Sequence, residues 1–216
     1  MNIAILGTGM VGGTIGTKMI QLGHNVKMGS RAAGGEKALA WVKANGASAL
    51  QGTFADAAAH GEMIFNCTSG MGSLEALEQA GAANLKGKIL IDISNPLDFS
   101  KGMPPTLNPC NDDSIGERLQ KAFPETKVVK TLNTLTAALM VNPAALAGGD
   151  HSLFMCGNDA EAKAKVADLL KNGFGWKDVI DLGDISAARG QEMILPIWLR
   201  LWGGLKTANF NFKIVR

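Results

Sequence analysis

The sequence predicts an α/β fold, a doubly wound and mostly parallel sheet of about eight strands followed by a small helical segment. Three observations lead there. Short β-prone apolar runs alternate with amphipathic segments from one end of the chain to the other. The runs are continuously apolar, as in strands that helices cover on both faces. The 216 residues, 46% hydrophobic and 19% charged, suit one full domain with a modest appendage.

Residues 3–6 form the first strand and 10–22 its helix, closed by Gly23. The second strand is expected over 25–28 and the second helix over 36–45, ended by Gly46. A weaker third strand near 47–50 leads to a helix opened by Thr53. Strands follow at 63–66 and 89–93. In the second half, 114–123 reads as helix, 127–130 and 151–155 as strands, and 160–171 as a helix capped by Asp159. A last strand is placed at 179–182, with a helical pattern from Ile185 onward. The tail Asn209-Phe210-Asn211-Phe212 fits either an edge strand or an anchored coil, and 95–113, rich in Pro, Asn and Asp, is the one loose region. The expected division is residues 1–184 for the sheet domain and 185–216 for a helical segment that completes the active site or forms a dimer contact.

Composition narrows the function. A net charge of +2 offers no basic field for nucleic acid or an acidic membrane face. The most apolar late stretch, 193–205, is too short to span a bilayer and carries Arg200. Met1 leads almost directly into the first strand, so no signal peptide is expected. Cys67, Cys110 and Cys156 are odd in number and far apart, which fits reduced thiols in a cytoplasmic protein and no metal site.

Gly7-Thr8-Gly9-Met10-Val11-Gly12 is a GxGxxG placed between a strand and a helix, the context that makes it a dinucleotide-binding Rossmann turn. Gly7 permits the tight turn, Gly9 lets a pyrophosphate approach the backbone, and Gly12 lets helix and strand pack closely. The helix start offers free N–H groups to the anion. An NAD site would place Asp or Glu at the end of the second strand, to accept from the ribose 2′-hydroxyl. This chain reads Met28-Gly29-Ser30-Arg31 there, so Ser30 and Arg31 are assigned to the 2′-phosphate of NADP(H). Lys37 either assists them or is a solvated helix residue. Further contacts are expected from Thr68, Ser69 and Gly70 after the fourth strand and from Ser94 after the fifth, where such sheets bind ligands.

These residues resemble the NADPH-dependent reductases of coenzyme F420 over essentially the whole chain. The resemblance lies in the glycine turn, Gly29-Ser30-Arg31, Asp92-Ile93-Ser94-Asn95-Pro96-Leu97, Lys130-Thr131-Leu132-Asn133-Thr134, and Asp181-Leu182-Gly183 followed by Ala188-Arg189 and Glu192. The chain also resembles the cytosolic NADPH-oxidising domain of membrane metalloreductases, without helices that could hold haem. The resemblance implies an extended Rossmann sheet, with Asn95, Pro96, Asn133 and Thr134 lining a hydride-transfer site. It further implies NADP(H) as cofactor and coenzyme F420 or a flavin as second substrate.

Hydride transfer between flat rings needs alignment and exclusion of water more than acid–base groups. The sequence agrees: His24, His60 and His151 each read as surface or capping residues, with His151 the one to re-examine near Gly148-Gly149. Arg189 and Glu192, three apart on one helical face, either form an ion pair or orient the nicotinamide loop. Trp198 and Trp202 form a wall for an acceptor ring, a dimer contact, or ordinary core. The expected function is an NADPH-dependent oxidoreductase passing hydride to a planar acceptor, acting as a homodimer. The alternatives are an imine or β-hydroxy acid reductase, disfavoured by the short chain left after Leu182, and an NADP(H)-binding redox sensor without turnover.

Overall fold

A computed structural model describes all 216 residues. The chain runs β1 (Asn2–Leu6), α1 (Met10–Gln21), β2 (Asn25–Ser30), α2 (Glu36–Asn45), β3 (Ala49–Thr53), α3 (Phe54–His60) and β4 (Met63–Asn66). It continues with α4 (Gly70–Ala80), α5 (Ala82–Leu85), β5 (Ile89–Asp92), a small ribbon of β6 (Leu97–Asp98) and β7 (Thr106–Leu107), then α6 (Ile115–Ala122) and β8 (Lys127–Thr131). The last part holds α7 (Ala137–Val141), β9 (Ser152–Gly157), α8 (Ala160–Asp168), β10 (Asp178–Asp181), α9 (Ala188–Met193) and α10 (Leu195–Leu205).

Eight strands make one sheet in the order β10-β9-β8-β5-β4-β1-β2-β3. Seven adjacent pairs include a single antiparallel one, β8 with β9, so β9 and β10 run against the other six. Alternate residues of each strand feed two cores. Ile3, Ile5, Phe65, Ile91 and Val129 point to the side of α1, α2 and α8, where Ile15, Trp41 and Val166 meet them. Ala4, Leu6, Ile64, Leu90 and Val128 point to the side of α3, α4 and α6, with Ala57, Leu77 and Leu119. Burial on both faces is why these strands read as unbroken apolar runs.

Most elements lie within a residue or two of their sequence-based positions. The third strand sits two residues late, and α8 ends at Asp168, where residues Leu169–Gly173 widen into a π turn. Thr53 and Asp159 cap α3 and α8 as expected, accepting from Asp56 N and Ala162 N. Residues 70–72, read from sequence as loop, are the first turn of α4. The 95–113 stretch is not wholly loose, because β6 and β7 pair within it. The tail is an anchored coil: Phe212 O accepts from Ser152 N at 2.9 Å, and Ile214 N donates to Ser152 Oγ at 3.0 Å.

The C-terminal segment packs on the second core through Ile185 and Ala188. It also completes the N-terminus of α6. The first N–H groups of that helix, Ile115 and Gly116, donate to Glu192 at 2.9 and 3.2 Å, and Glu117 N donates to Ser114 Oγ at 3.1 Å. Every leading donor thus has a partner although the helix start is buried. Ser114→Ala removes the side-chain cap that the N-cap residue supplies to α6. It is expected to lower unfolding free energy by about 1–2 kcal/mol, read from urea midpoints.

Candidate functional site

The site begins at the turn between β1 and α1. Gly7 has φ +116°, and a side chain there would stand 2.7 Å from Cys67 O. Gly12 is packed so closely that a Cβ would lie 2.3 Å from Gly7 O. Gly9 differs, since a Cβ there would meet nothing within 4 Å. Gly9 also caps α1 without any side-chain bond, and no acidic residue sits in the first turn. The leading N–H groups, those of Met10 and Val11 among them, therefore face outward with the positive end of the helix dipole behind them.

A cleft of about 310 Å³ opens from this turn. Gly7 and Thr8 form one wall, Ser30 and Arg31 a second, and Thr68 and Ser69 a third. Arg31 is exposed and forms no ion pair, whereas Ser30 Oγ donates to Ala32 O at 2.7 Å. The guanidinium is thus the free cationic donor at this corner, while the serine proton closes its own turn. Phe54 and Ala76 add apolar surface, and Gly72, Glu75 and Gln79 line the side formed by α4. The spacing 72, 75, 76, 79 is one helical face, a signal hidden because residues 70–72 read as loop. Lys37 is exposed on α2 and lines no part of the cleft.

A second hollow of about 410 Å³ adjoins the first through Thr68 and Ser69. Val11, Gly70, Ser94 and Asn95 line it, with Phe99 at the rim. Gly70 abuts the Asn95 turn so tightly that a Cβ would fall 2.1 Å from Asn95 O. Asn95 and Asn133 exchange hydrogen bonds: Asn95 Nδ2 donates to Asn133 O at 2.8 Å, and Asn133 Nδ2 donates to Asn95 Oδ1 at 3.0 Å. Pro96, Asn133 and Thr134 are buried and do not line the hollow itself. The structure therefore joins Gly7, Thr8, Ser30, Arg31, Thr68, Ser69, Gly70, Ser94 and Asn95 around connected space. Asn133 stands behind Asn95 as a brace.

Beneath the second hollow lies a charged cluster whose members stand in three of the resemblance motifs, although no spacing in the sequence brought them together. Lys130, Asp92 and Glu192 are buried together, with Lys130 Nζ 2.8 Å from each carboxylate. Burial alone would lower the lysine, but the two carboxylates outweigh it and hold it above its ordinary pKa. Burial likewise pushes the Glu192 carboxyl up, against the pull of Lys130. Arg189 and Glu192 do not pair with each other: Arg189 binds Glu117 at 2.6 Å. Successive turns of α9 point to different neighbours, and each side chain finds a nearer opposite charge.

No histidine reaches either space. His151 is buried, where Asn211 Nδ2, fixed by its bond to Ser152 O, donates to Nδ1 at 2.8 Å. The proton then sits on Nε2 and donates to Pro143 O at 3.0 Å, so His151 anchors the tail. Burial and then the Asp92 charge push the Cys67 thiol far above its ordinary pKa, which removes it as a nucleophile. Trp198 packs against Phe210 at 5.2 Å and Trp202 at 6.1 Å, with Trp202 45% exposed, so this pair is not ordinary core.

The site therefore presents an anion cradle, a cationic corner without carboxylate, and a second hollow in which Ser94 and Asn95 stand among the apolar Met71, Ile93, Leu97 and Phe99. The chain is similar to proteins already known. The family model described as NADP oxidoreductase, coenzyme F420-dependent, matches residues 2–96. A protein of solved structure from Arthrobacter sp. FB24, provisionally assigned as an F420-dependent NADP-reductase, is 57% identical. It superposes with a TM-score of 0.95 over 100% of both chains. The chain belongs to the F420-dependent NADP oxidoreductase family.

Within that family, the F420-dependent NADP reductase of Methanocaldococcus jannaschii is 33% identical over 151 residues, 68% of this chain and 64% of that one. Metalloreductase STEAP3 of Rattus norvegicus is 31% identical over 204 residues, 91% of this chain and 37% of that one. The chain thus spans less than two thirds of either relative's length. No helix here is long and apolar enough to cross a membrane. The residues present fit the family's NADP(H): the open face of Gly9, the uncapped start of α1 and the unpaired Arg31 each suit an anionic group.

Proposed function

We propose that this protein is an NADPH-dependent oxidoreductase that transfers a hydride between NADP(H) and a planar flavin-like acceptor such as coenzyme F420. The observation that carries the reading is the pairing of the Gly7–Gly12 turn with a carboxylate-free, Arg31-bearing corner on one continuous cleft. The N–H groups of Met10 and Val11 bind the pyrophosphate, and Arg31 neutralises the 2′-phosphate. Lys37, on the neighbouring helix, adds positive potential without direct contact. Thr68, Ser69, Gly70 and Ser94 border the path to the second hollow, where Asn95, braced by Asn133, fixes the edge of the nicotinamide. Pro96 and Thr134 pack behind that edge and keep water out. NADPH, when bound, supplies the hydride, so the chain needs no nucleophile or base of its own.

The apolar, partly exposed face of α10, with Ile197, Trp202 and Leu205, supports a role as wall for the acceptor ring or as the contact of a homodimer. The test follows the loss of NADPH or NADH absorbance with F420, FMN and riboflavin offered in turn. NADPH is expected to be consumed at least about tenfold more efficiently than NADH. Equal use of NADH would overturn the cofactor reading. Tight NADPH binding without turnover of any acceptor would overturn hydride transfer and leave a sensor.

A further inference from the structure

The buried cluster under the second hollow is built around one residue of the site, Ser94. Lys130 Nζ donates to Ser94 O at 2.6 Å while also meeting Asp92 Oδ2 and Glu192 Oε1, each at 2.8 Å, so all three ammonium protons are used. Asp92 Oδ1 in turn accepts from Ser94 N at 3.2 Å and from Ser94 Oγ at 2.7 Å. The N–H, hydroxyl and carbonyl of Ser94 are therefore all held by the same cluster. Asn66 Nδ2 supports Asp92 from β4 at 2.8 Å. The next residue, Asn95, is tied to Asn133, whose Nδ2 also donates to Gln191 O at 3.1 Å, beside Glu192 on α9.

A buried lysine needs one carboxylate for neutrality. Here two carboxylates converge on one ammonium, an arrangement that a purely packed core would not need. Apolar side chains of similar volume would hold β5, β8 and α9 together at least as well. What they could not do is hold the N–H, hydroxyl and carbonyl of Ser94 at once.

We propose that Lys130 is a positioning residue for hydride transfer. Held between Asp92 and Glu192, its ammonium fixes the Ser94 carbonyl, and with it the Ser94-Asn95-Pro96 turn that seats the nicotinamide ring. The glycine turn and Arg31 hold the adenosine and phosphates independently of it. This rests on the placement of the nicotinamide beside Asn95 given above. It assigns to α9 a second task, since Glu192 connects the C-terminal segment to the cofactor turn.

The double variant Lys130→Met/Glu192→Gln removes the ammonium and one of its two carboxylate partners together, leaving Asp92 still bonded to Asn66 and Ser94. It is expected to bind NADP⁺ within about threefold of the parent, because the phosphate contacts are untouched. In ligand-observed saturation-transfer NMR, the nicotinamide protons should lose signal while the adenine protons keep theirs. Hydride transfer from NADPH should slow about a hundredfold in kcat with little change in KM. Nicotinamide and adenine signals that fall together, or that both persist with kcat intact, would overturn the proposal.

The unaltered protein supplies a second measurement should the variant fail to fold. Without cofactor, the Ser94 amide should exchange with deuterium as slowly as the amides of β5. Exchange as fast as in the two-residue strands of the β6–β7 ribbon would overturn the proposal equally. A parent protein that does not bind NADP(H) at all would instead overturn the cofactor reading, and the exchange result would still report on the cluster.

Discussion

Arg31→Ala is expected to weaken NADPH binding about 10- to 100-fold while leaving NADH binding nearly unchanged. Arg31 is exposed and pairs with no carboxylate, so no protein contact is lost with it. Ser30 offers little compensation, because its hydroxyl proton is directed to Ala32 O. The lost interaction is thus a charged hydrogen bond to a group that only NADPH carries. Fluorescence titration with both nucleotides reads the effect directly, and raised salt should shrink the difference for the parent protein because the corner is open to solvent. Equal weakening of both nucleotides would mean that Arg31 stacks on the adenine rather than pairing with the 2′-phosphate. Ser30→Asp, which places a carboxylate where an NAD site has one, should depress NADPH binding further and raise NADH binding.

Parts of this molecule were legible in the sequence for sterically simple reasons. The glycine turn could be read because its residues are demanded by the backbone: Gly7 by a positive φ, Gly12 by the Gly7 carbonyl. The strands could be read because helices cover both faces, which leaves no polar alternation to blur them. The reversal of β9 was not read, since an apolar run looks alike in either direction. A signal existed, however. Between Thr131 and Ser152 the longest helix is the five-residue α7, too short for the usual crossover to a parallel neighbour.

The charged cluster was hidden for a different reason. Lys130 ends an apolar strand and Glu192 lies three residues from Arg189, so each has a plausible local role in the sequence. Their actual partners come from far along the chain: Asp92 is 38 residues from Lys130, and Glu117 is 72 from Arg189. Local spacing predicts pairs within a helix, whereas the fold offered each group a closer charge on another element. Gly70 misled in the same way. A Gly-Met-Gly start is poor helix sequence, yet glycine is required there by the Asn95 carbonyl rather than by a turn.

Gly12→Ala and Gly9→Ala are expected to fail in opposite ways. At Gly12 the new methyl would stand 2.3 Å from the Gly7 carbonyl oxygen and 3.1 Å from Ile5 Cγ2. The first of these is backbone and cannot swing aside, so α1 must lift from β1. Unfolding free energy should drop by about 1–3 kcal/mol and nucleotide binding should go with it. At Gly9 the backbone has φ −78° and ψ −177°, open to any residue, and the methyl meets no protein atom within 4 Å. Alanine is a poorer N-cap than glycine, but it also lowers the entropy of the unfolded chain, and the two effects nearly cancel within about 0.5 kcal/mol. Thermal unfolding of cofactor-free Gly9→Ala should therefore match the parent, while its affinity for NADP(H) falls at least about a hundredfold, because the methyl stands between the pyrophosphate and the first N–H groups of α1. Unimpaired binding by Gly9→Ala would remove the turn from the cofactor site. At Gly9, whose backbone conformation suits any residue and whose surroundings leave room for a side chain, the glycine is explained by what approaches from outside.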